Sequence, residues 1–210
     1  MQSFKLLCLS LVFFATQVLA QTTNASSLKL SVYGVMVSTS SLCTNPVTIF
    51  NNAAPSVLDF ITNPTLGSSG SPTNPPDGTY NCIIIKMSDN ILYTPSASLG
   101  GICLAGTQYT SDVCNVGNGG TTNVPGSGVT TNCTNNPDVV YLYLTTNTNA
   151  GTGGGSFTQP LSAASTAGIK LTSPLVVSSN VSSKFIVNAT GKVNTAGGAC
   201  GMNPPVFGFQ

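Results

Sequence analysis

Histidine, tryptophan, glutamate and arginine are all missing from the 210 residues. Without histidine or glutamate, neither a Ser-His-Asp nor a Cys-His nucleophilic site can be assembled within the chain. The absence of histidine and of any Cys-x-x-Cys pair also argues against a zinc site. Charged residues make up 5% of the chain, against roughly 25% in an ordinary globular protein. Solubility therefore falls to serine, threonine, asparagine and glycine. There is no basic field to attract nucleic acid or an anionic membrane, since the formal net charge is +1. No apolar run beyond residue 20 is long enough to span a bilayer.

What is present begins with a leader-like segment. Residues 1–20, MQSFKLLCLSLVFFATQVLA, carry one lysine, an apolar run from Leu6 to Phe14 and a small-residue end at Val18-Leu19-Ala20. This is the pattern of a secretory signal cut before Gln21. Cleavage leaves Lys29, Lys86, Lys170, Lys184 and Lys192 against Asp59, Asp77, Asp89, Asp112 and Asp138, a balance of zero. It also removes Cys8, leaving Cys43, Cys82, Cys103, Cys114, Cys133 and Cys200. An even number of cysteines in an exported chain predicts three disulfides. Six cysteines allow 15 pairings. The local pair Cys103–Cys114 is the first expectation, with Cys43–Cys82 and Cys133–Cys200 following from it.

No stretch keeps a 3.6-residue apolar period, whereas short β-branched runs alternate with Gly, Pro and Asn turn signals. The pattern predicts a single all-β domain over 28–210, an antiparallel, disulfide-stapled sandwich with long polar loops. Residues 21–27 read as a frayed arm. Leu28 to Ser38 reads as the first strand, with Leu28, Leu30, Val32 and Met36 on one face and Tyr33, Val35 and Val37 on the other. Gly34 within it marks a bulge or a close backbone approach. Val47 to Phe50 reads as a short strand, and Val57 to Ile61 as a separate apolar island.

The organising stretch is Asn74 to Asn90. Pro75-Pro76-Asp77-Gly78 supplies turn chemistry, and Thr79 to Met87 reads as a strand buried on both faces. Ile91 to Tyr93 continues it past a kink at Asp89-Asn90. Val139 to Thr146 is a second central strand. Ile169 to Val177 is a strand interrupted by Pro174. Ser183 to Asn188 is expected to pair with Lys192-Val193, and the run ending in Phe209 supplies a last short strand.

Two pieces carry a resemblance. Tyr80 stands two residues before Cys82 at a strand start, in DGTYNCIII over 77–85. This resembles the tyrosine corner of immunoglobulin-like sandwiches, and Gly-x-Tyr before an apolar strand is similar to transthyretin-like domains of secreted bacterial proteins. The order KLSVYGVMVS, PVTIF, the Gly-Thr-Tyr strand, LTSPLVVSSNVSSKFIVNATGKV and PPVFGF is similar to a group of bacterial exported and lipoprotein β-sandwiches. The resemblance implies fold and export, a structural role for Tyr80, and no catalytic residues.

Other chemistry is sparsely represented. A Ser-Lys dyad lacks any distinguishing spacing, and Lys86 reads as a snorkelling edge residue. Five scattered aspartates do not form a carboxylate pair of the kind glycosidases use. Calcium has weak candidates in Asp112, Asn115 and Asn118, with Asp89 and Asn90 as another loop site; neither set matches an EF-hand. GTGGGS at 151–156 lacks the Gly-Lys-Ser/Thr of a phosphate loop. Asn24, Asn132, Asn180 and Asn188 open Asn-x-Ser/Thr triplets. The six tyrosines are expected to pack in the core or to support strands. The composition predicts an exported structural or interaction protein of the adhesion type, at a cell surface or secreted, without catalytic activity or cofactor. Its expected partner is itself or another surface component. The alternative is a glycan- or calcium-binding module using the 115–137 and 147–156 loops.

Overall fold

A computed structural model describes residues 21–62, 75–113, 121–125, 130–132, 139–151, 155–178, 185–195 and 198–209. The leader expected over residues 1–20 lies outside them. The described chain forms β1 (Thr22–Thr23), β2 (Ala25–Ser38), β3 (Val47–Asp59), β4 (Gly78–Tyr80), β5 (Cys82–Ser88), β6 (Asn90–Pro95), β7 (Tyr109–Asp112) and β8 (Thr121–Asn123). These are followed by β9 (Thr130–Asn132), β10 (Val139–Thr145), β11 (Ile169–Lys170), β12 (Leu175–Val177), β13 (Phe185–Asn188), β14 (Val193–Asn194), β15 (Gly201–Met202) and β16 (Val206–Phe209). No α-helix occurs among the described residues.

The main sheet is built on β5 and β6, which act as one long strand with a kink at Asp89. Along one edge both pair with β2, from Ser38 opposite Cys82 to Ala25 opposite Pro95. Along the other edge, β10 pairs with β5 and β7 with β6, so those two lie end to end. β3 flanks β2 on the outside, and β11 joins β10 in parallel. The central strand is buried on both faces, as its β-branched content predicts. Ile83, Ile85 and Met87 enter the large core, whereas Cys82 and Ile84 enter a smaller one with Cys43 and Tyr143.

The large core lies between this sheet and a second layer of short pairs: β4 with β12, β13 with β16, and β1 with β14 and β15. The chain changes layers at Asn81, between β4 and β5. Phe185 is the aromatic centre of the second layer, with ring centroids 5.9 Å from Phe60, 5.8 Å from Phe207 and 5.2 Å from Phe209.

Several expectations change. Residues 21–27 are not a frayed arm: β1 pairs with β14, β2 already begins at Ala25, and Asn24 Oδ1 accepts the Gly191 N–H at 2.9 Å. Val47 to Phe50 and residues 57–59 of the island belong to one strand, β3, which runs through Pro55, while Phe60 and Ile61 lie in the turn that follows. An edge position tolerates that proline, because no ladder bond is needed on the outer side. Ile169 to Val177 splits at the Thr172-Ser173-Pro174 corner into β11 in the main sheet and β12 in the second layer. β13 pairs with β16 rather than with Lys192-Val193, because the second layer recruits both segments to different neighbours. Lys86 is no edge residue; it sits in the central strand opposite Gly34 and Tyr141.

Gly34 explains the largest change of facing. The ladder shifts register between Val32 and Gly34 against both β3 and β5. The extra residue of a bulge reverses the alternation that follows it. Val35 and Val37 therefore join Leu28, Leu30 and Val32 in the large core, and Met36 turns to the smaller one. A Cβ at Gly34 would lie 2.8 Å from the Phe50 carbonyl oxygen. Gly34→Ala is expected to lower the unfolding free energy by about 1–3 kcal/mol, through forced backbone displacement, measurable by denaturant titration.

Asp59 ties the end of β3 to the start of β2. Its Oδ2 accepts from Ser27 Oγ at 2.7 Å, and Oδ1 accepts from the N–H groups of Leu28, Ile61 and Thr62 at 3.3, 3.0 and 3.4 Å. Partial burial alone would raise its pKa, but these donors outweigh it and hold the carboxyl below its ordinary 3.8. A depressed folded pKa adds stability above the unfolded value and loses it as pH falls through the folded one. The stability difference between wild type and Ser27→Ala is therefore expected to be greatest above pH 3.8 and to shrink on acidification below it, read from denaturation series across that range.

Candidate functional site

The sulfur cross-links organise both cores. Cys43 bonds Cys82 with Cα atoms 5.3 Å apart, as expected from the sequence. Cys103 bonds Cys200 with Cα atoms 5.0 Å apart, which overturns both Cys103–Cys114 and Cys133–Cys200. The local pairing fails because residues 99–103 already close a turn through the Leu99–Cys103 bridge, which carries Cys103 into the large core toward the second layer. Cys114 and Cys133 lie outside the described residues. Two intramolecular disulfides belong to an oxidising, extracytoplasmic environment.

The Cys43 loop is held from the opposite side of its disulfide. Cys43 and Asn45 adopt positive φ, 58° and 47°. Gln159 Nε2 donates to the Leu42 carbonyl at 3.0 Å and to that of Cys43 at 3.3 Å, while Asn123 Oδ1 accepts the Gln159 N–H at 3.0 Å. The loop, the β8 strand and residues 156–159 thus cover the smaller core.

Tyrosine hydroxyls perform a common task. Tyr80 donates to the Pro76 carbonyl at 2.7 Å, four residues upstream, which is the geometry a tyrosine corner requires. Tyr93 donates to Cys200 O at 2.7 Å, Tyr143 to Asn123 O at 2.8 Å and Tyr109 to Ile102 O at 2.9 Å. Burial, and the neighbouring Tyr109, push the Tyr93 phenol above its usual pKa; burial does the same for Tyr141 and most strongly for Tyr143, to which Tyr141 adds. Four of these hydroxyls fasten loops to the strands that carry them.

The calcium candidates do not come together as one described site. Asn115 and Asn118 lie outside the described residues. Asp112 ends β7 opposite Asn90. Asp89 is buried, and its Oδ1 accepts from Ser88 Oγ at 3.3 Å and Asn90 Nδ2 at 3.2 Å, which makes it part of the kink. Among the described residues no three acidic or sulfur ligands cluster. The described part of the 115–137 loop holds the β8–β9 hairpin. The described part of 147–156 is anchored: Asn147 Nδ2 donates to Ser162 O at 3.1 Å, and Gly151 N to Gly168 O at 2.9 Å.

Two adjoining hollows lie beside the Asn203-Pro204-Pro205 segment. The inner one, about 130 Å³, is walled by Leu28, Leu30, Ile91, Leu142, Phe157 and Phe207. The outer one, about 570 Å³, holds Lys170 and Lys192. Ser156, Ile169, Asn203, Pro204 and Pro205 line both. Sequence reasoning did not single out these two lysines. One sits on β11 and the other just before β14, and only the tertiary fold brings them to one cleft. No family model matches the chain, and neither a curated protein nor a solved structure shows significant similarity to it.

The corner at Tyr80 yields a direct test. Tyr80→Phe is expected to lower stability by about 1 kcal/mol, the usual worth of one such bond, or up to about 3 if the Pro76 carbonyl is left dry. Thermal unfolding of the variant measures it.

Proposed function

We propose that this is an exported, non-catalytic interaction protein of a cell surface or extracellular assembly, and that the outer edge of β3 is where it meets its partner. The observation that carries this reading is the edge itself. β3 runs for 13 residues and, among the described residues, pairs with β2 alone. Such an edge offers unpaired backbone groups to an incoming strand. Apolar side chains stand out near both ends, Val47 at 47% and Val57 at 62% exposure. Pro55 removes one donor mid-strand, so pairing divides into a segment on either side of it. The charge-poor surface gives such a contact little salt dependence. Residues 1–20 direct export, and the disulfides then form outside the cytoplasm.

Light scattering on the mature protein across a concentration series tests the reading. The expected result is reversible association, weakened in Val57→Lys, whose side chain sits on the exposed part of the edge. A strict monomer that also fails to bind the surface of the producing cell contradicts it.

A further inference from the structure

The adjoining hollows combine two properties that a random surface of this protein would not. The inner one is walled almost wholly by aliphatic and aromatic side chains, and its polar lining is confined to Ser111, Ser156 and Asn203. Its volume of about 130 Å³ approaches that of a cavity known to hold a benzene-sized molecule. The outer one, at about 570 Å³, lies within the roughly 300–1,000 Å³ typical of small-molecule sites. In a chain with six lysines in all, two of them, Lys170 and Lys192, line this one hollow. No aspartate is among the described residues lining either hollow.

The Asn203-Pro204-Pro205 segment that lines both hollows is fixed in place. Asn203 N donates to Lys192 O at 2.8 Å, and Thr172 N to Phe207 O at 2.9 Å, so the proline segment is held at both ends. Among the described residues Lys170 Nζ makes one weak hydrogen bond, to Thr148 O at 3.4 Å on the exposed side. That ammonium can turn to an anion at the cost of one poor hydrogen bond. An anionic group at the outer hollow would meet two positive charges with no nearby described carboxylate to oppose it.

We infer that the hollows bind a single-chain anionic amphiphile, with the far end of its hydrocarbon chain in the inner hollow, the rest of the chain crossing into the outer one, and its acidic head between Lys170 and Lys192. The site is separate from the β3 edge and does not depend on it. The alkyl part gains by leaving water, and the head gains from two partly exposed charges, which add modestly to affinity.

Titration calorimetry with decanoate, decanol and decylammonium tests this on the mature, oxidised protein. Decanoate is expected to bind more tightly than decanol, and decylammonium weakest. Lys170→Gln combined with Lys192→Gln should weaken decanoate roughly five- to tenfold, as two such ion pairs imply, and leave decanol unchanged. Ile91→Trp, which fills the inner hollow, should abolish binding of all three. Lys170→Gln alone, at an exposed position, guards against a folding defect in the other variants, and should lose part of the decanoate affinity. No binding of decanoate by the wild type overturns the inference. So does equal binding of the three probes, or lysine variants that bind decanoate as the wild type does.

Discussion

The hydrogen-bond ladders along both edges of the kinked β5–β6 strand set the position of everything else. A strand bonded on both sides along most of its length cannot slide, because a slip of one residue would turn every side chain to the wrong face. β2 is fixed against it along one edge, β7 and β10 along the other, and β3 and β11 follow outward from those. The break at Asn81 then hands the chain to the second layer through β4, where Tyr80 closes the corner on Pro76. Asn81 is itself held, with Nδ2 donating to Thr39 O at 2.8 Å and Oδ1 accepting from Thr146 Oγ1 at 3.1 Å.

A protein so poor in charge must fasten its loops with neutral groups. It does so with hydroxyl and amide donors aimed at backbone carbonyls: tyrosines from the core outward, and Gln159 and Asn147 from loop to loop. Each such bond contributes only about 1 kcal/mol net. Left unmade in a buried place, the same group would cost more than that, so the network acts mainly to exclude other arrangements. Asp59 serves in the same way, as an acceptor for four donors at the end of an edge strand.

Much of the main sheet was legible in the sequence. Alternation and β-branched content gave β2, β5 and β10, and the kink at Asp89-Asn90 was visible as a polar interruption between apolar runs. The Cys43–Cys82 bond and the Tyr80 corner were also foreseeable. The facing of Val35, Met36 and Val37 was not, because a bulge at Gly34 changes the count by one and no local residue type says whether it does so. The second layer was the least readable part. Its strands are two to four residues long, too short to show a period, and their partners are chosen by the core they cover. Cys103–Cys200 and the placing of Lys170 and Lys192 on one hollow share that cause: each sets a segment of this layer beside a distant part of the chain.

The Cys103–Cys200 bond spans 97 residues of sequence, against 39 for Cys43–Cys82. A chain that emerges amino end first presents Cys43 and Cys82 well before Cys200. During that interval Cys103 lacks the partner that it has in the finished fold. The two sulfur links therefore differ in how much chain each needs: the earlier one closes within the first half of the sequence, while the later one waits for nearly all of it.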